Sequence, residues 1–135
     1  NSGVERRRIF GYASVMDSAQ THPSSIMVRP RLYIGDRIAV GPGKIDLLRR
    51  VGETRSISAA ARSLGMQYKK AWLLIDSLNQ GFGRPVVVTA TGGRGGGGAT
   101  LTPLGQELLA CYAALERRIN VEANRELDAL RALAR

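Results

Sequence analysis

Gln67, Tyr68, Lys69 and Lys70 follow closely on Gly65. The run brings an amide, a phenol and two ammonium groups to what reads as the start of a helix. An amide can bond an adenine edge twice, and an ammonium can reach guanine or phosphate. Upstream, Ser56, Ser58 and Arg62 offer hydroxyl and guanidinium groups suited to phosphate oxygens. Downstream, Arg94 stands among six glycines in the run from Gly92 to Gly98. Together these residues suit a reader of duplex DNA. The same pattern also describes a helical hairpin with a solvated basic face. The glycine run has three readings: a wing that lays Arg94 in the minor groove or on phosphate, a hairpin tip with no ligand, and a phosphate cradle. The cradle is the weakest, because no Gly-Lys-Ser/Thr follows and the run leads to a Thr-rich strand rather than directly to a helix.

No catalytic set accompanies these groups. The chain holds one histidine, His22, and one cysteine, Cys111. That pair cannot build a transition-metal site, and the expected fold has no imidazole to serve as a base for a Ser or Cys nucleophile. Asp36, Asp46, Glu53 and Asp76 fall on scattered elements without paired-carboxylate spacing. The expectation is a binding protein with no enzymatic activity, no metal and no cofactor. A single cysteine excludes an intrachain disulfide and fits a reducing, cytoplasmic compartment. No apolar run approaches the ~20 residues of a membrane span, and no secretory h-region is visible.

The net charge of +9 asks for a polyanionic partner. Its distribution matters more: residues 27–100 carry 12 basic and 4 acidic residues, whereas residues 101–135 carry 5 of each. The positive field therefore belongs to the middle of the chain.

These groups need elements to hold them. Residues 31–40 read as two short strands around Gly35-Asp36, and Gly41-Pro42-Gly43 ends the pair. A first helix is expected from about Lys44 to Val51, stopped by Gly52. A second runs from about Ser58 to Leu64, capped by Ser56 or Ser58, with Gly65 at its left-handed end. Ala59, Ala60 and Ala61 let it approach its neighbour. A third covers about Gln67 to Gln80 with Ala71, Ile75 and Leu78 inward, and Trp72 is expected as a core or wall residue. Residues 86–91 and 100–102 read as the strands beside the glycine run. Thr102-Pro103 opens a last helix. Its apolar stripe (Leu108, Tyr112, Leu115, Ile119, Ala123, Leu127, Leu130 and Ala134) predicts one helix from Pro103 to about Ala134, with Cys111 beside it. Such a helix would span roughly 48 Å at 1.5 Å per residue, too long for a small domain to cover alone. A two-fold contact between subunits is the expected cover. Residues 1–30 show no sustained period and are expected to be an N-terminal extension, or in part a segment upstream of a start at Met27. The remaining division is 31–102 for the DNA-binding domain and 103–135 for the dimerisation helix.

The runs Ile45 to Gly52, Ser56 to Ala61 and Leu64 to Trp72, with the wing Thr91 to Pro103 and then Gly105, resemble the N-terminal domain of ModE-type molybdate-responsive regulators. The helix-turn-helix alone is also similar to LysR-type regulators. The resemblance covers about residues 31–112. It implies a mainly α fold with small β elements: a winged helix-turn-helix with a long C-terminal dimerisation helix. The family commonly has Ser where this chain has Gln67, which bears on base preference. Such regulators typically continue into a molybdate- or tungstate-binding domain. The chain is therefore expected to be a stand-alone reader, or one whose sensor lies on another chain.

The expected function is a sequence-specific, homodimeric transcription regulator that binds double-stranded DNA. The alternatives are a non-specific nucleoid-type DNA coater and an oxyanion- or nucleotide-binding protein that uses the Gly-rich loop.

Overall fold

A computed structural model describes residues 26–90 and 97–134. Two compact units emerge. Residues 29–114 form one; the described part of the other is residues 26–28 with 115–134.

The larger unit starts with a two-stranded antiparallel hairpin, β1 (Leu32–Ile34) and β2 (Ile38–Val40). Gly35 takes φ +62° in its turn, where a glycine carries no Cβ penalty. Helix α1 (Pro42–Thr54) follows, with Pro in its first turn, where the missing N–H is no loss. Helices α2 (Ile57–Ser63) and α3 (Tyr68–Phe82) come next. A second antiparallel pair, β3 (Val87–Thr89) and β4 (Ala99–Leu101), leads into α4 (Pro103–Glu122).

The core joins the inward faces of these elements. Ile45, Leu47, Leu48 and Val51 of α1 meet Ile57, Ala60 and Ala61 of α2 and Ala71, Ile75 and Leu78 of α3. Ile38, Val40, Val86, Val87, Ala99 and Tyr112 close it. The spacing of three and four read along α3 is the spacing of its buried residues.

Gly52 does not stop α1. The helix runs on to Thr54. A Cβ at Gly52 would lie 2.9 Å from Leu101 Cδ1, so this glycine lets a wing strand lie close against the helix. The stop comes at Arg55, left-handed at φ 59° and ψ 30°, whose N–H donates to Val51 O at 2.8 Å.

Sequence reasoning set residues 1–30 aside, yet Arg29 and Pro30 are packed into this unit. Arg29 Nη2 lies 2.6 Å from Asp46 Oδ1, with both side chains almost fully buried. Arg49 approaches the same oxygen at 3.4 Å. The Tyr112 hydroxyl donates to Pro30 O at 2.6 Å.

In the smaller unit, Asn120 brackets the backbone of Val28. It accepts from Val28 N at 2.7 Å and donates to Val28 O at 2.9 Å. The single long C-terminal helix expected from sequence is divided here. Helix α4 ends at Glu122, and α5 (Asn124–Leu133) begins after Ala123, whose ψ of 14° leaves the helical range. Neither proline nor glycine stands there, and no residue type accounts for the break. No helix among the described residues is long and apolar enough to cross a membrane.

Candidate nucleic-acid interface

The turn between α2 and α3 is built by local hydrogen bonds. Met66 N donates to Ala61 O at 2.9 Å, and Gly65 N donates to Arg62 O at 3.1 Å. This is the paired six-to-one and five-to-two pattern of a Schellman end, which needs a left-handed residue after the cap. Gly65 supplies it at φ +65°. Ala60, Ala61 and Ala71 are buried to within a few per cent, so α2 and α3 approach closely. Ala59 is only half-buried.

Gln67 is the N-cap of α3, one step earlier than a first-turn residue, and its side chain makes no cap bond. Gln67, Tyr68, Lys69 and Lys70 are all exposed. Neither lysine has an ion-pair partner among the described residues. The first turn of α3 holds no acidic residue. Two cations thus stand at the positive end of a helix dipole, each disfavoured by about 0.3–1 kcal/mol. An anion docked there would offset that loss.

Trp72 is not a core residue. It is 36% exposed, and its ring meets Tyr68 edge-on, with centroids 6.4 Å apart and planes at 82°. The two are one turn apart, so they share the outer face of α3, with Leu73 exposed beside them.

Ser56 caps α2: its Oγ accepts from Ala59 N at 3.0 Å. Ser58 does not cap; its Oγ stands 3.2 Å from Ser56 Oγ, and its side chain faces out. Arg62 is exposed in the last turn of α2, where a cation suits the dipole. It lies about 9 Å along the axis from Ser56 by helix rise. The fold therefore groups Arg62 with the turn and α3, and places Ser56 and Ser58 at the far end of α2.

The wing stem pairs Val87 with Leu101, Val88 with Thr100 and Thr89 with Ala99. Ala90 N donates to Gly98 O at 2.9 Å and extends the ladder. Ala99 N donates to Arg55 O at 3.0 Å, which ties the stem to the end of α1, and Thr102 N donates to Val86 O at 3.0 Å at the opposite end of the ladder. Arg94 lies outside the described residues. Cys111 is exposed on α4 rather than enclosed.

Away from this face, Lys44 Nζ donates to Ala39 O at 2.7 Å and Ser77 Oγ at 3.0 Å. Burial, and then the nearby Arg31 guanidinium, pull it below the ordinary lysine range. Among the described residues no cluster of His, Cys, Asp and Glu is disposed to hold a metal ion.

Residues 43–106 match the family described as bacterial regulatory helix-turn-helix protein, lysR family. The chain is 48% identical over 77 residues to the molybdenum-pterin-binding protein MopB of Rhodobacter capsulatus, covering 57% of this chain and 28% of that one. It is 41% identical over 81 residues to the DNA-binding transcriptional dual regulator ModE of Escherichia coli K12, covering 60% and 31%. With the molybdenum transport protein ModE of Azotobacter vinelandii it shares 39% over 92 residues, covering 68% and 33%. The match spans about a third or less of the length of these relatives. Residues 43–106, with their Schellman turn, exposed α3 start and two-stranded wing stem, are thus a bacterial regulatory helix-turn-helix domain of the LysR type, in the form shared with ModE-type regulators.

Proposed function

We propose that the chain is a sequence-specific transcription regulator that places α3 in the major groove of duplex DNA. The observation that carries this reading is the pair of uncompensated lysines, Lys69 and Lys70, at the positive end of α3. Gln67 and Tyr68 stand in the same turn and supply base-edge contacts. Arg62 and Arg94 hold phosphate from the α2 end and the wing, with Ser56 and Ser58 at the opposite end of α2. Residues 31–102 are the DNA-binding part, and the segment from Pro103 onward pairs two copies. Leu130, 51% exposed, and the half-buried Leu115, Ile119 and Ala123 of the C-terminal stripe supply the apolar surface for that pairing. Two readers related by a two-fold axis match a palindromic operator. The protein works in the cytoplasm, and no chemical step belongs to this function.

Fluorescence anisotropy tests the reading at about physiological salt. The duplex upstream of the protein's own gene is compared with its shuffled counterpart. A preference of roughly 10³-fold supports a specific regulator. Near-equal, steeply salt-dependent binding replaces it with a non-specific coater. Lys70→Ala and Arg94→Ala are each expected to reduce the salt slope by about one unit. Unchanged slopes in both remove these residues from the interface.

A further inference from the structure

Arg55 is the one described residue other than glycine with positive φ, at φ 59° and ψ 30°. A side chain with a Cβ is disfavoured in that region, which glycine and asparagine enter more readily. The backbone there is held from both sides. Arg55 N donates to Val51 O at 2.8 Å, and Arg55 O accepts from Ala99 N at 3.0 Å. The direction in which the side chain leaves the chain is therefore set by α1 and β4 together.

Arg55 is exposed and lines a shallow groove of about 310 Å³ along the wing stem, with Val88, Thr89, Ala90 and Thr100. Glu53 is the nearest acid in sequence, and Arg50 engages it at 2.5 Å. Arg55 has no ion pair among the described residues. The next residue, Ser56, caps α2. In a helix-turn-helix the first helix of the pair crosses the phosphate backbone, and the stem of the wing stands on the other side of Arg55.

We propose that Arg55 is a phosphate-binding residue that grips the DNA backbone between the start of α2 and the wing stem. This rests on the reading of the chain as a DNA binder. A guanidinium takes two phosphate oxygens at once with geometry a point charge lacks. A left-handed arginine whose peptide groups are both bonded presents that fork from a fixed root. The contact carries no base information; it sets how α3 and the wing sit relative to each other on the duplex.

The test compares wild type, Arg55→Gly, Arg55→Asn and Arg55→Lys by thermal melting and by salt-titrated anisotropy on one duplex. Gly and Asn both accept the left-handed backbone, so their melting temperatures are expected to match or exceed wild type. Their affinity falls about three- to tenfold, and the salt slope drops by about one unit. Arg55→Lys keeps the slope. Wild-type slope and affinity in both the Gly and Asn variants overturn the role of Arg55 while leaving the DNA-binding reading intact. A wild-type protein that binds no duplex overturns that reading, and with it this one.

Discussion

Gly105→Ala is expected to loosen the joint that ties the wing to α4. A Cβ built on Gly105 lies 2.3 Å from Val86 O and 3.3 Å from Val86 C. Ordinary contact begins at 3.4 Å, so the helix and the strand must part by about 1 Å. The obstacle is backbone, which no rotamer change can move aside. The same Val86 O accepts the Thr102 N–H at 3.0 Å, and Thr102 Oγ1 both donates to Pro85 O and accepts from Gly105 N. Moving the helix away therefore stretches a cap as well as a ladder bond. Overpacking costs about 1–3 kcal/mol and a strained buried hydrogen bond about as much again. A loss of about 3 kcal/mol lowers the melting temperature of a domain this size by about 10 °C. Gly43→Ala is the control. Nothing lies within 4 Å of its Cβ, and it sits inside α1. There alanine's helix preference contributes about 0.5 kcal/mol, and melting rises slightly. Thermal melting of both variants by circular dichroism decides. If Gly105→Ala melts within about 3 °C of wild type, the joint yields and the close-approach reasoning is wrong. If Gly43→Ala falls as far, the loss reflects any glycine replacement.

Asp46→Ala leaves the buried Arg29 guanidinium without the carboxylate 2.6 Å away, and is expected to cost about 3–5 kcal/mol in urea unfolding; a loss under 1 kcal/mol would show that Arg29 draws its support elsewhere. Ser56→Ala removes the cap of α2 and costs about 1 kcal/mol in the same assay, while unchanged stability would deny the cap. Lys44 is expected to titrate below the other lysines by NMR of its ammonium group, and an ordinary midpoint would refute its burial. Because burial and Arg31 lower its pKa in the folded state, the native protein releases this proton before the unfolded chain does. The small cost of burying the charged ammonium is therefore carried in full at neutral pH, and stability rises slightly as pH climbs toward 10.5 and that cost is relieved.

Much of the candidate interface was legible because local chemistry dictates its geometry. A serine before Ile57, a glycine after Leu64 and apolar positions at three- and four-residue spacing fix two helices and the turn between them. Gln67 to Lys70 then fall at the start of α3 without any long-range information. The misreadings have physical causes. Gly52 looks like a helix terminator in a one-dimensional string, but its lack of a Cβ serves Leu101, 49 positions along the chain. The true terminator, Arg55, carries no residue-type signal for a left-handed conformation. Trp72 reads as core by hydropathy, and only the angular position of Ala71, Ile75 and Leu78 turns it outward. The Arg29–Asp46 pair joins residues 17 apart across two elements, so neither partner advertises the other. Ala123 interrupts the C-terminal stripe with a residue that favours helices.

The wing stem is laddered as far as the bond between Ala90 and Gly98, the last glycine of the run. Arg55 O holds Ala99 to the end of α1, and the Val86–Thr102 and Ala90–Gly98 bonds continue the ladder at its two ends, so its register is fixed. Insertions between Ala90 and Gly98 that keep Arg94 are then expected to leave the fold intact. Doubling a loop costs only ~0.6 kcal/mol in closure entropy. Extra residues, a fluorophore-bearing cysteine or a short peptide tag placed there should leave the helix-turn-helix folded. The segment between Ala90 and Gly98 is thus the natural place to graft a reporter while the sequence of the helix-turn-helix is left unchanged.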